Sequence, residues 1–411
     1  MDCITFWNGL HTIGSNIFSL DNGKNRVIMD FGMPDENYDH DSGMPAAEAL
    51  ISAGKLPKIP YLFDTRQFTK RFPGIHDSEF QSQAVFVSHL HLDHNSGLKY
   101  LPEGTDVYMS EAAKNLYDAL LMCGMEVEVA ADLHGVPFNE TVQVGDYSVS
   151  FIENDHDTIG SAGILIEGGN QRILHSGDVR KNGYHPGNME TFIEQAQPVD
   201  LLMIEGTSFS FLSDSSDDVQ RTERDLLDDF TQLLIDEDKN IVINPYPRNI
   251  DRLTSLNRLS IKMDRPIYWD AEFSKLLKIY TDDPVHTWTD LEDTKHRVIQ
   301  LQFSDIEKIS GLSPGTYVHM NGEPLGDYDP RYEIMQTILQ RSQFEFKDYS
   351  VSGHASKADI LTIAESVNPQ RVVPWHTFEP EKQGTALRKN GMTPFIPKKE
   401  TPYLLSDILK P

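Results

Sequence analysis

Short apolar runs separated by polar turn residues dominate the first half of the chain, and this pattern predicts strands before helices. "NIFSLD" and "NRVIMDFG" flank Asn22 and Gly23 and predict a hairpin whose second strand closes on Asp30 and Gly32. A long irregular stretch is expected over residues 33–83, and the apolar run "AVFV" at residues 84–87 then predicts a buried strand. "TDVYMS", "YSVSFIEN", "AGILIE" and "QRILHSG" continue the series, with a helix expected over residues 111–122. The pattern changes after Gly206. Val219, Leu226, Leu227, Phe230, Leu233 and Leu234 fit one amphipathic helix within residues 217–236. "NIVINPY", a helix over 249–262, "RPIYWD" and a helix over 271–280 then alternate as in an open parallel α/β sheet.

The strand at residues 84–87 runs straight into "SHLHLDHNSG", where His89, His91, Asp93 and His94 fall within six positions before the turn signals Asn95, Ser96 and Gly97. Neutral imidazole and carboxylate are the usual donors to zinc and similar divalent ions. Burying so many polar groups without an ion is costly, which makes a purely structural role a poor account of the cluster. Other candidates close other apolar runs: His156 after "SFIEND", Asp178 in "HSGD" and His376 after "RVVPW". These supply His89, His91 and His156 for one ion, Asp93, His94 and His376 for a second, and Asp178 as a carboxylate able to bridge both, a sorting that spacing alone leaves open. Asp30 reads equally as a carboxylate orienting a ligand or as a turn residue before Gly32. His76, His185 and His286 stand alone and receive no role. The acidic run over residues 214–229 reads as a solvated helix face.

At 411 residues the chain can bury a large core and is expected to hold two domains. Its net charge of −27, from 63 acidic and 36 basic residues, predicts a soluble protein and opposes non-specific attraction to polyanions. Cys3 and Cys123 are the only cysteines, so neither a disulfide framework nor a thiolate zinc finger is available, and a reducing cytoplasm fits. "MDCITFWNGLHTIGSN" lacks the basic flank and apolar stretch of a signal peptide, and no membrane span is expected.

"HLHLDH", followed in order by His156, Asp178 and His376, resembles the metallo-β-lactamase fold hydrolases. "IEGTS" with Glu205, "VSGHAS" with His354 and "VPWHTFE" with His376 resemble the three additional motifs of the β-CASP nucleases. "GLHTIGSN", "HSGD", "PRNIDRL", "NGEP" and "SGHAS" extend the similarity to the bacterial ribonuclease J family over nearly the whole chain. Two departures stand out: leucines replace the Gly and Glu usual between that family's histidines, and the sequence stops soon after the last motif, as a chain without that family's C-terminal domain.

The resemblance implies an αββα metallo-β-lactamase sandwich from residues 1–206 and 350–411, with a β-CASP α/β domain inserted at 207–349 and the active site in the cleft between them. It implies two zinc ions, with manganese possible, and a metal-activated water that hydrolyses RNA phosphodiester bonds in a 5′ exonuclease mode, an endonuclease mode or both. His354 would protonate the leaving oxygen with Glu205 holding it, and Ser352, Asn249, Arg252 and Arg248 would bind substrate phosphates. Single-stranded RNA is the expected partner and a homodimer is possible. Because the chain is so acidic, Arg180, Lys181, Arg248, Arg252 and Lys357 are expected to line a narrow positive cleft. A small-molecule or nucleotide hydrolase is the alternative, favoured by the acidic balance. A non-catalytic binding subunit is a third reading, opposed by the complete ligand set.

Overall fold

The structure is a computed structural model that describes residues 1–35, 43–69, 80–211, 220–290, 295–326 and 329–410. Six strands lead the chain: β1 (Cys3–Phe6), β2 (Phe18–Asp21), β3 (Asn25–Met29), β4 (Ser82–Val87), β5 (Asp106–Ser110) and β6 (Asp132–Val136). Five follow: β7 (Thr141–Val144), β8 (Tyr147–Glu153), β9 (Ala162–Gly168), β10 (Gln171–His175) and β11 (Leu201–Glu205). A separate set comes next: β12 (Asn240–Pro245), β13 (Ile267–Trp269), β14 (His286–Thr287), β15 (Val298–Gln300), β16 (Gly315–Met320) and β17 (Glu345–Asp348). The tail adds β18 (Arg371–Trp375) and β19 (Pro402–Leu404).

These form three sheets, ordered β19-β1-β2-β3-β4-β5-β6, β18-β11-β10-β9-β8-β7 and β14-β13-β15-β12-β16-β17. The tail strands complete the first two sheets, β19 lying antiparallel to β1 and β18 parallel to β11. Phe6, Phe18 and Phe86 of the first sheet share one core with Phe151, Ile173 and Trp375 from the second, so the two sheets stack face to face. Helix Glu111–Cys123 covers the outer face of the first sheet, and helices Pro186–Ala196 and Lys357–Val367 cover that of the second. The result is an αββα sandwich. The third sheet is wholly parallel and carries helices on both faces, as parallel sheets require for burial.

Local sequence explains most element ends. The hairpin turns at Asn22 and Gly23, where Gly23 takes a left-handed φ of +83°. The helix expected over 217–236 spans Glu223–Asp236, because Thr222 and Asp225 cap each other across its first turn; Val219 lies outside the described residues. Asn249 caps helix Ile250–Lys262 and Asp270 caps Ala271–Tyr280. The stretch expected to be irregular contains helix Ala46–Ser52, whose short apolar face is weak as a periodic signal.

The sandwich and the helices of the third sheet meet on a buried charge cluster. Glu223 accepts from Nη1 of Arg180 at 2.9 Å, from Nε and Nη2 of Arg252 at 2.9 and 2.8 Å, and from Nδ2 of Asn249 at 3.2 Å. All four residues are buried. Removing one partner leaves uncompensated buried charge, which costs about 3–5 kcal/mol. Glu223→Ala is therefore expected to lose about that much stability in urea denaturation, with Arg252 left only the Met320 carbonyl and Asn321 and Arg180 left with Asp155 as its one carboxylate; a loss under about 1 kcal/mol would show that water reaches the cluster.

Candidate metal centre

The cluster sits where the carboxyl ends of four strands converge. His89 follows β4, His156 follows β8, Asp178 follows β10 and His376 follows β18. Short loops past buried, extended strands hold these side chains on the common edge of the two stacked sheets. Three groups of potential ligands form there among the described residues, two of which share one carboxylate: His89, His91, His156 and Asp178, and Asp93, His94, His376 and Asp178; the third is Glu205, His354 and His376. Oδ2 of Asp178 lies 3.3 Å from Nε2 of His94, 3.6 Å from those of His89 and His376, and 4.0 Å from that of His156.

The donor set fits a divalent pair. Nε2 of His89 and both oxygens of Asp178 are buried and have no hydrogen-bond partner among the described residues. Such orphaned atoms are costly unless a cation takes them. Burial lowers the pKa of His89 well below its ordinary value and that of His156 to about 3, which keeps both rings neutral and able to donate a lone pair. For Asp178 burial opposes ionisation, but His376, His94 and His354 outweigh it and hold the carboxylate well below its ordinary range.

A surrounding layer turns each ring. Asp30 is fully buried; its Oδ2 lies 2.8 Å from both Nδ1 of His94 and Nε2 of His175, and its Oδ1 accepts from the amide of Ser88 at 2.7 Å. His94 and His175 outweigh burial and lower its pKa to about 2. A φ of +54° lets this carboxylate turn in beneath the cluster, and His376 shares the left-handed region at +50°. Gly32 permits the approach, since a Cβ there would lie 1.7 Å from the carbonyl oxygen of Asp93. Nδ1 of His376 is hydrogen-bonded to Oγ1 of Thr207 at 2.7 Å, and Nδ1 of His156 donates to the carbonyl of Gly353 at 2.5 Å.

Sequence reasoning passed over several of these supports. Asp157 places Oδ1 2.8 Å from Nε2 of His91, leaving Nδ1 of that ring turned inward, 3.2 Å from Nε2 of His156. Thr207, His175 and Asn16, whose Nδ2 lies 3.0 Å from Nε2 of His94, were likewise unmarked. Asp157, Thr207 and His175 each lie within three residues of a singled-out position, the one signal that was there to read.

His354 stands at the rim. Its Nδ1 lies 3.3 Å from Oε1 of Glu205 and 3.7 Å from Oδ2 of Asp178. Burial opposes its charge, but Glu205 and Asp178 prevail and push its pKa up to about 10. Glu205 is itself enclosed and accepts from the Thr207 amide at 3.0 Å. Ser352 is exposed and caps the same loop, its Oγ accepting from the His354 amide at 3.0 Å.

The structure draws the arginines expected to line a positive cleft into internal pairs. Arg252 is 0% exposed and its guanidinium is engaged by Glu223, the Met320 carbonyl and Asn321. Asn249 is turned onto Glu223 and the helix start, and Arg180 is closed in by Glu223 and Asp155. Arg248 donates to the Leu90 carbonyl at 2.6 Å and to Glu126 at 2.7 Å. Lys181 faces Asp359 at 3.8 Å, and Lys357 donates to the Phe211 carbonyl at 3.1 Å. Buried guanidiniums need carboxylate and carbonyl partners, and these partners occupy the donors a phosphate would use.

Sheet stacking, helix layers and ligand groups together define a metallo-β-lactamase fold. Residues 62–215 match the model of the beta-lactamase superfamily domain. Over nine tenths of its length the chain resembles ribonuclease J: it is 18% identical to that of Mycoplasma pneumoniae over 413 residues, covering 90% of this chain and 67% of that protein. It is 22% identical to ribonuclease J of Pyrococcus abyssi over 411 residues, covering 90% and 88%. A crystal structure of a protein of unknown function from Enterococcus faecalis V583 superposes with a TM-score of 0.83 at 26% identity, covering 98% of this chain and all of that one.

Asp178→Ala is expected to lower the metal content found by elemental analysis, because two of the ligand groups contain that carboxylate. Unchanged metal content would separate the groups. Asp157→Asn is expected to keep the stoichiometry while weakening divalent-metal affinity about 10–100-fold in chelator competition, the usual effect of losing a partner that orients a ligand.

Proposed function

We propose that this chain is a metal-dependent ribonuclease that hydrolyses phosphodiester bonds of single-stranded RNA, as a 5′ exonuclease, an endonuclease or both. Its ribonuclease J relatives and its fold support a nuclease-like hydrolase in general. The observation that carries the finer reading is the pair of ligand groups sharing Asp178, with the Glu205-backed His354 imidazole 3.7 Å from it. In this reading residues 207–349 are an inserted β-CASP domain and the substrate lies between it and the sandwich.

Each residue then has a task. His89, His91 and His156 would hold one divalent ion and Asp93, His94 and His376 the other, with Asp178 between them. Two zinc ions, or manganese, would supply Lewis-acid charge to the phosphate and lower the pKa of a water toward about 7. Glu205 engages Nδ1 of His354, so Nε2 is the nitrogen left to protonate the departing oxygen. Asp30, Asp157 and Thr207 keep the ligand rings turned inward. Ser352 stays a candidate for phosphate contact because its hydroxyl sits on the same exposed loop as His354. The proposal places the enzyme in the cytoplasm, singly or as a homodimer; no helix among the described residues is long and apolar enough to cross a membrane.

A second reading, a small-molecule or nucleotide hydrolase, draws on the internal pairing of Arg180, Arg248 and Arg252, which leaves the cleft without the basic track that long polyanions favour. Assays of zinc- and manganese-loaded protein on labelled RNA, labelled DNA and a chromogenic phosphodiester separate the two. RNA cleavage is expected, and His354→Ala is expected to retain both metals while losing about 10²–10⁴ in turnover, the range of general acid-base assistance. Cleavage of the chromogenic ester alone would move the assignment to the second reading.

A further inference from the structure

We propose that a cavity beside the metal cluster receives the nucleobase of the nucleotide whose phosphate meets the ligand groups. The proposal rests on the phosphodiesterase reading and adds where the base is held. The cavity measures about 580 Å³, within the range of roughly 300–1,000 Å³ typical of small-molecule sites. Sandwich and third sheet both contribute walls. Leu92 and Lys99 come from the segment after His91, Met125 and Val127 from the segment after helix Glu111–Cys123, and Tyr246 and Phe303 from the segments following β12 and β15. Parallel α/β sheets characteristically bind ligands off these carboxyl ends, where the strand order reverses, and here it reverses at β12.

The lining chemistry selects an uncharged planar ring. Leu92 and Val127 are 48% and 51% exposed, apolar side chains left facing water although Leu92 lies directly between the ligands His91 and Asp93. The positive charges of Lys99, Arg248 and Arg331 are balanced by Glu126, Glu272 and Glu323. Within that set Arg248 and Glu126 are paired at 2.7 Å, as are Arg331 and Glu323. A charge-balanced cavity offers no concentration of cations for a phosphate, whereas the neighbouring ligand groups would hold one through their ions. A heteroaromatic ring with apolar faces and polar edges matches both kinds of wall. Tyr246 joins the two places: it lines the cavity, and its ring stands edge-on to His91 with centroids 5.3 Å apart. A base stacked there is adjacent to the metal cluster, and aromatic stacking of this kind is tolerant of base identity.

The test uses the zinc-loaded full chain, with AMP, ribose 5-phosphate and inorganic phosphate as probes in equilibrium binding. AMP is expected to bind about 10-fold or more tightly than ribose 5-phosphate. Leu92→Ser, an exposed and charge-neutral change, should remove most of that difference while inorganic phosphate binds as before, and Tyr246→Ala should do the same. Equal affinity for AMP and ribose 5-phosphate overturns the proposal. If RNA is cleaved but AMP gains nothing from its base, the cavity assignment fails and the ribonuclease reading stands. If RNA is not cleaved but AMP binds with a base-dependent gain that Leu92→Ser abolishes, the ribonuclease reading fails and the cavity stands. A KM for an oligoribonucleotide raised about 10-fold in Leu92→Ser identifies the ring as a base of RNA; weakened AMP binding with unchanged KM identifies it as a free nucleotide.

Discussion

Asp178 is 1% exposed, and neither of its oxygens meets a hydrogen-bond donor among the described residues. An ionised carboxylate buried in this way costs several kcal/mol unless charged or polar partners, or a bound cation, compensate it. Five imidazoles bring a nitrogen within 4.0 Å of its Oδ2: those of His89, His94, His156, His354 and His376. They come from well-separated segments of the chain. The architecture around the site follows from this requirement, because the carboxyl ends of β4, β8, β10 and β18 must reach one edge of the sandwich for those rings to face one atom.

Holding the rings in place draws on the rest of the molecule. Asp30 reaches His94 from the end of β3, Thr207 reaches His376 from beyond β11, and the carbonyl of Gly353 reaches His156 from the returning tail. Arg248 donates to the Leu90 carbonyl, between His89 and His91, so the third sheet also touches the ligand loop. A distortion in any of these layers would turn a ligand ring, and rings aimed wrongly hold an ion weakly.

The same packing decides where the few positive charges go. With 36 basic residues against 63 acidic, a basic residue drawn into a buried pair is one fewer for a substrate. Arg180 and Arg252 converge on Glu223, and the gain is a fixed junction between the sandwich and the third sheet. The cavity beside the cluster is lined by balanced pairs and apolar side chains.

Strand runs, the parallel α/β alternation and the histidine and aspartate positions that converge on one edge were legible in the sequence because each depends on a local cause: apolar periodicity, a capping residue, or the cost of burying imidazole and carboxylate side by side. The partners of the arginines were not legible. Arg252 was expected to contact phosphate only through the family resemblance carried by "PRNIDRL", and the approach of Glu223, 29 residues earlier, encloses it. The role of Asp157 was equally hidden, since a carboxylate beside a ligand in sequence acquires meaning only when His91, 66 positions away, turns its ring toward it. Sequence alone determined which chemistry the chain can support, since donor atoms and strand periodicity are properties of residues and their neighbours. Tertiary structure decided which charges remain available to a ligand, because pairing is a matter of distance in space.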